Sequence, residues 1–390
     1  MLELSNQNKV SVPIHISDNT HPLSYYPESM RILSYPATSP NSGITSIRIA
    51  LPHIFAATIS NGLSIISPIF ISEKLTSKIP IFKDLIDTPP GRIVLQQQSE
   101  KGQYESILES KNLFPNANLV CDLDDLSWKA PLYNAKKWDH KRIKEFYRNL
   151  NLCSEIRLST PYLMEQVIKK FGGNFEYKLM PNLVYGGFIQ RPEVERGKMR
   201  ILVSGQANHI ADFDVLYNVI EETQFRYEWI GYGQFNRPFY GLKMDFVDPT
   251  PGDKYFQTLY SILPDVCCIP LHDHEFNDCI SNLKFLEYGR LGIPSITSDR
   301  VPYRKCPSIK IRSGARETRQ WINALKEMEN ESVRKEFSNK TIDYVSHFMA
   351  QNNLGLVMDG FYGSRLKEAK RHIVENFGHN PDGEECLEYL

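Results

Sequence analysis

Short apolar runs alternate with longer amphipathic stretches along most of the chain. Arg31-Ile32-Leu33-Ser34-Tyr35, Leu63-Ser64-Ile65-Ile66, Arg92-Ile93-Val94-Leu95-Gln96 and Asn118-Leu119-Val120-Cys121-Asp122 read as buried strands. Ile44, Ile47, Ile49, Leu51 and Ile54 predict an apolar helix against a sheet, interrupted at Pro52. Helical spacing continues at 104–111 and 161–171, with strands at 156–159 and 177–180. After a polar linker at 193–198 the pattern restarts. Strands are expected at 200–205, 227–231, 266–270 and 294–297, and helices at 212–222, 255–263, 282–290 and 318–330. Closing helices are expected at 331–350 and 363–377, whereas 1–29 shows no sustained period. Strand–helix alternation implies a parallel sheet covered on both faces, here twice in succession. Ligands of such sheets bind beyond the C-terminal ends of the strands, so chemistry is sought in those loops.

Composition narrows the classes. The chain has 390 residues, 41% of them hydrophobic, which excludes a disordered chain and suits two domains with proper cores. Lys+Arg number 45 against 46 Asp+Glu, so no global charge points to nucleic acid and any such preference must be local. The seven cysteines include no C-x-x-C pair, which fits a reducing compartment better than a disulfide framework or a zinc site. No apolar h-region opens the chain, so no signal peptide is expected. The stretch between Arg48 and Glu73 is free of Asp, Glu, Lys and Arg, but Pro52, His53, Asn61, Gly62 and Pro68 read as helix, turn and strand rather than a membrane span.

The most informative segment runs from Ile269-Pro270-Leu271-His272-Asp273-His274 through Phe276-Asn277 and Ser281-Asn282-Leu283-Lys284-Phe285-Leu286-Glu287-Tyr288-Gly289 to Gly292-Ile293-Pro294. It reads as strand, polar loop, helix, glycine turn, strand. The helix tip near Ser281 and Asn282 offers free N–H groups for an anion, with Lys284 adding a cation one turn in. Glu287 suits bidentate bonding to vicinal hydroxyls; its bland alternative is a solvated carboxylate on a capped surface helix.

This segment resembles the donor-site motif of GT-B glycosyltransferases of the family-four type, and more closely a group found in bacterial O-antigen clusters and in phages. Val120 to Trp128, Leu158 to Leu163, Met180-Pro181-Asn182 and Ile201 to Phe213 agree in order, so the likeness spans roughly 30–340 as several short matches. The fold it implies is α/β of GT-B type: two doubly wound Rossmann-like domains facing across a cleft. The boundaries expected are 1–192 for an acceptor-side domain, 193–340 for a nucleotide-sugar domain, and 341–390 for helices crossing back. The resemblance further implies that Glu287 binds the donor ribose, that Ser281, Asn282 and Lys284 surround the diphosphate, and that Gly205 lets backbone approach the donor. His209 would contact phosphate or sugar, and Gly231 and Tyr232 would lie near the nucleobase. Two departures stand out. Cys279 occupies the place of the family's first glutamate, and Ile280 stands where the closer group often has lysine, so their usual contacts do not carry over.

Three further groups keep alternatives open. Asp122, Asp124 and Asp125 form a metal-holding D-x-D, cap the next helix, or supply an acceptor-side acid that orients or deprotonates the attacking hydroxyl. His272 and His274 flank Asp273; with Asn277 they are read as sugar or acceptor contacts rather than metal ligands. Lys136, Lys137, Lys141, Arg142 and Lys144, interleaved with Trp138, Phe146 and Tyr147, form either a solvated helix face or a phosphate-tracking acceptor patch with aromatics for base contact. The expected activity is transfer of a sugar from a nucleotide sugar, as co-substrate, to a hydroxyl acceptor, with retention, no metal and no resident cofactor. The acceptor is a glycan, a lipid-linked glycan or a DNA base. Alternatives are a phage-type transferase acting on a hydroxymethylated pyrimidine and a non-catalytic nucleotide-sugar-binding protein. A cytoplasmic location is expected, that of the host if the chain is phage-encoded.

Overall fold

Fully apolar strands need cover on both faces, and the chain supplies it with crossover helices. The computed structural model describes residues 15–16, 31–36, 46–52, 55, 63–66, 70, 86–87, 89–100, 102–131, 138–172, 175–205, 207–233, 239–251, 254–362 and 384–390. The chain divides into two compact units. The first takes in Met1–Asp125, Trp138–Tyr185 and Ala350–Glu385; the second, Leu126–Lys137, Gly186–Met349 and Cys386–Leu390. The division at Tyr185–Gly186 lies seven residues ahead of the expected 192/193 boundary, and the segment from Ala350 belongs to the first unit. The expected helix at 363–377 lies outside the described residues.

The first unit carries β1 (His15–Ile16), β2 (Arg31–Tyr35), β3 (Leu63–Ile66), β4 (Arg92–Gln96), β5 (Asn118–Leu123), β6 (Glu155–Leu158) and β7 (Glu176–Leu179). Their order is β1-β3-β2-β4-β5-β6-β7, parallel except for the edge pair β1–β3. Crossovers include α1 (Gln103–Leu113), α2 (His140–Leu150) and α3 (Pro161–Phe171). α3 begins as its sequence demands: Thr160 accepts the Leu163 N–H and Pro161 takes the first turn, where no amide hydrogen is needed. The expected helix at 44–54 is helical where it is described: Ser46–Ala50 forms a π-turn, and Leu51, Pro52 and Phe55 are α-helical. This turn buries Arg48 at 3% exposure.

The second unit carries β8 (Arg200–Gly205), β9 (Glu228–Gly233), β10 (Asp245–Val247), β11 (Val266–Ile269), β12 (Ser295–Ser298) and β13 (Ile309–Ile311), all parallel, in the order β10-β9-β8-β11-β12-β13. This is the doubly wound order, with its reversal between β8 and β11. Three-residue β10 and β13 are too short to show a period, and the sequence pattern missed both. Helices α4 (Tyr217–Thr223), α5 (Tyr255–Ile262), α6 (Glu275–Cys279), α7 (Leu283–Gly289), α8 (Glu317–Met328) and α9 (Glu331–Ser346) follow; α10 (Leu354–Tyr362) belongs to the first unit. Ile201 and Val203 of β8, Trp229 of β9, Val266 and Cys268 of β11 and Ile296 of β12 pack with Trp321 and Leu325 of α8 in one core. Each such buried side chain stabilises the unit by about 1.5–3 kcal/mol. Cys267 and Cys268 are core residues, and all seven cysteines are free and buried.

Candidate functional site

The strand ends of the second unit hold two polar clusters. The first is built on α5 and α7. Tyr255 Oη donates to Glu287 Oε2 at 2.8 Å, and Lys284 Nζ donates to the same oxygen at 2.9 Å and lies 3.2 Å from Tyr255 Oη. Lys284 and Glu287 meet because three residues on a helix share a face. Burial alone would lower the Lys284 pKa, but Glu287 and then Tyr288 outweigh it and hold the amine charged. Burial and the Glu287 carboxylate push the Tyr255 hydroxyl well up, so it stays a donor. Tyr232 stacks on Tyr255 with ring centres 5.5 Å apart, and its hydroxyl pairs with Thr250. Ser204, at the end of β8, bonds the Tyr288 hydroxyl. Among the described residues Glu287 Oε1 takes no protein partner, although the residue is 7% exposed.

The second cluster sits at the β8/β11 reversal. Asp212 Oδ1 accepts from His272 N at 2.8 Å and from Asn277 Nδ2 at 2.6 Å, while Oδ2 lies 2.9 Å from His209 Nδ1. Asn277 Nδ2 also donates to the His272 carbonyl. The buried Tyr303 hydroxyl feels Lys284, Asp212 and Glu287, which ties the two clusters to one strand-end edge.

Several residues singled out from the sequence have local duties. Gly205 is required because the Phe213 ring rests on it: a Cβ there would fall 2.2 Å from Phe213 Cζ. Gly231 is likewise covered by Phe246, and Tyr232 is 3% exposed. The Asn282 amide donates to Tyr344 of α9, turning toward the unit's interior. The expected polar loop after β11 contains the one-turn helix α6, which His274 caps by accepting the Phe276 N–H. Cys279, in the place of the family's first glutamate, is completely buried. His272 is exposed.

In the first unit the three acids differ in burial: Asp122 is buried, and Asp124 and Asp125 are half-buried. Asp122 is fully buried and bound by Arg48 at 2.6 Å and 3.2 Å, with Arg157 3.7 Å away. It anchors the unit rather than meeting solvent. Asp124 is 16% exposed; its Oδ1 lies 3.9 Å from Arg48 Nε and makes no hydrogen bond among the described residues. Burial raises its pKa to about 6, with Asp125 and Asp122 adding to the rise and Arg48 opposing it. Arg48 itself is held by Met180 O and Asn182 Oδ1 as well. Among the described residues no group of three His, Cys, Asp or Glu is placed to hold a metal ion.

On α2, Arg142 pairs with Glu100, and Arg148 with Glu145. Trp138 and Phe146 are buried against each other, so these two rings belong to the core and do not stack on bases as the patch reading requires. Tyr147 lies flat on Phe171. Lys136 and Lys137 lie outside the described residues, and no described helix is long and apolar enough to cross a membrane.

Tyr255, Asp212 and Arg48 are absent from the sequence-derived site. Only Asp212 left a trace there, standing one helical turn after His209.

Two parallel doubly wound units of these orders define the GT-B fold. Solved structures agree with it over most of the chain. A sucrose-phosphate synthase from Thermosynechococcus elongatus aligns at TM-score 0.56 with 11% identity, over 85% of this chain and 96% of its own. The Anabaena protein HepE in complex with UDP-glucose aligns at 0.55 with 10% identity, over 82% and 95%. A glycosyltransferase from Rickettsia africae aligns at 0.55 with 11% identity, over 89% and 98%. No family profile matches the chain, and no curated protein matches it.

Proposed function

We propose that this chain is a glycosyltransferase that moves a sugar from a nucleotide-sugar donor to a hydroxyl acceptor with retention of configuration. The observation that carries this reading is Glu287. Its Oε2 is fixed by Tyr255 and Lys284 at the strand-end edge of a doubly wound sheet, while Oε1 keeps no described protein partner. An oriented, half-satisfied carboxylate in that place suits a ribose hydroxyl. Lys284 spends two of its three N–H donors on Tyr255 and Glu287, leaving one for the departing diphosphate. A fixed cation there stabilises charge that grows in the transition state. In the first unit Asp124 is the acid suited to orient the acceptor hydroxyl or take its proton, since a pKa of about 6 leaves it mostly ionised at neutral pH yet basic enough to act. The fold shared with a UDP-glucose complex makes a uridine nucleotide sugar the first donor to try.

The test is a panel of nucleotide sugars incubated with the full chain, read by release of nucleoside diphosphate and of free sugar. One donor should be hydrolysed well above the others in the absence of acceptor. Binding without release of any sugar would favour a non-catalytic nucleotide-sugar-binding protein instead. The anomeric coupling of the first product, read by NMR, tests retention.

A further inference from the structure

His209, His272 and Asn277 stand on separate pieces of chain, beyond β8 and beyond β11, and one carboxylate ties them together. Asp212 is 1% exposed, and its two oxygens are used by these three residues alone among the hydrogen bonds of the described residues. His209 sits at a kink in the 3₁₀ turns of Ala207–Leu216, with φ −111° and ψ 17°, so its ring orientation is set by the Asp212 contact rather than by a regular helix. An ionised carboxylate only accepts, so His209 Nδ1 must carry the hydrogen that joins them. In the neutral ring Nε2 is then a bare acceptor. It takes no protein partner among the described residues, and the side chain is 28% exposed. Further titratable groups near this edge are Tyr303 and Asp214, which both feel Asp212, and His272, which Asp214 also feels; the Phe276 ring lies 6.1 Å from His209.

We propose that Asp212 is a positioning residue that holds His209 as the Nδ1–H tautomer, so that Nε2 accepts a hydrogen bond from a sugar hydroxyl of the donor. This rests on the transferase reading above. The β8/β11 reversal is where a doubly wound sheet seats its ligand, and a hydroxyl is the donor group that an unprotonated Nε2 selects. The arrangement also explains the buried Asn277: its amide is spent on fixing Asp212 and the His272 carbonyl.

Asp212→Asn tests this directly. Keeping the two bonds to Oδ1 turns the new amide NH2 toward His209, which forces Nδ1 to accept and leaves the hydrogen on Nε2. Long-range proton–nitrogen correlation on the full chain labelled with [15N]histidine, at a pH where the rings are neutral, reads the tautomer. The His209 signals are assigned by their loss in His209→Gln. Wild type should show Nδ1–H and Asp212→Asn should show Nε2–H. For the donor that the wild type hydrolyses, kcat/KM should fall by about 10- to 100-fold in Asp212→Asn, the worth of a lost hydrogen bond that leaves its partner unsatisfied. His209→Gln, which spares Asp212, should lose a similar factor even if Asp212→Asn fails to fold. Against a deoxy series of that donor, the penalty should vanish for the one sugar lacking the bonded hydroxyl. An Nε2–H ring in the wild type, or an equal penalty across the whole series, overturns the proposal while leaving transfer intact. Hydrolysis of no nucleotide sugar by the wild type overturns the transferase reading and this inference with it.

Discussion

Asp124→Asn removes one charge at nearly constant shape, and its effect on stability has a definite sign. Burial holds the Asp124 carboxyl at a pKa of about 6, against the ordinary 3.8 it regains on unfolding. The native state therefore binds more protons than the unfolded state between those values, and stability must fall as pH rises through them. Each pH unit of difference is worth about 1.4 kcal/mol, so the ionised carboxylate costs the fold on the order of 2–3 kcal/mol above pH 7. Below about pH 3 both states are protonated and the cost disappears. The asparagine variant should thus be more stable than wild type by about that amount at pH 8, and about equal to it at about pH 3. Urea unfolding at the two pH values measures the difference. At the same time donor transfer to an acceptor should fall by about 10²–10⁴ if Asp124 handles the acceptor proton. A stability gap that does not change with pH would refute the reasoning, because it would mean that Asp124 ionises as freely in the fold as outside it. A carboxylate that costs stability and also carries the rate is one kept for its chemistry.

Arg48→Met leaves Asp122 buried with Arg157 as its remaining close cation, and should cost about 3–5 kcal/mol in urea unfolding at pH 7; a loss under about 1 kcal/mol would mean the pair is solvated. Tyr255→Phe removes one of two donors to Glu287 Oε2 and should weaken nucleoside diphosphate binding by roughly threefold to tenfold, read by calorimetric titration. With Trp138 and Phe146 in the core, a mobility-shift assay with duplex or single-stranded DNA at low salt should show no retarded complex; a salt-sensitive complex would restore the patch on α2.

The sequence pattern located the long elements well because period and punctuation agreed. β4, β5, β8 and β11 are apolar on both faces and end in polar or glycine-bearing loops, which is how buried parallel strands announce themselves. β10 and β13 have three residues each and mixed exposure, so no period exists to read. The apolar spacing of Ile47 and Ile49 makes the helical segment carrying Arg48 legible, but the decisive fact, an arginine buried against Asp122, is a tertiary pairing across 74 residues. The candidate site was legible where its parts are consecutive, as in Lys284 and Glu287 on α7. Tyr255 reaches Glu287 from another helix 32 residues away, and no local spacing encodes that. Gly205, Asn282 and His274 also have contacts that no motif position encodes: Gly205 lies under Phe213, Asn282 bonds Tyr344 and His274 caps α6. Motif position fixes the neighbourhood of a side chain, and packing decides which way it turns.

On the proposed function Glu287, held by Tyr255 and Lys284, grips the ribose of a nucleotide-sugar donor. The most direct test of that grip is calorimetric titration of the full chain with UDP, beside Glu287→Ala and the other common nucleoside diphosphates. One nucleoside diphosphate should bind the wild type, and Glu287→Ala should weaken it by about 10- to 100-fold, the worth of hydrogen bonds to a charged group. Equal affinity in the two proteins, or no affinity of the wild type for any nucleoside diphosphate, would contradict it.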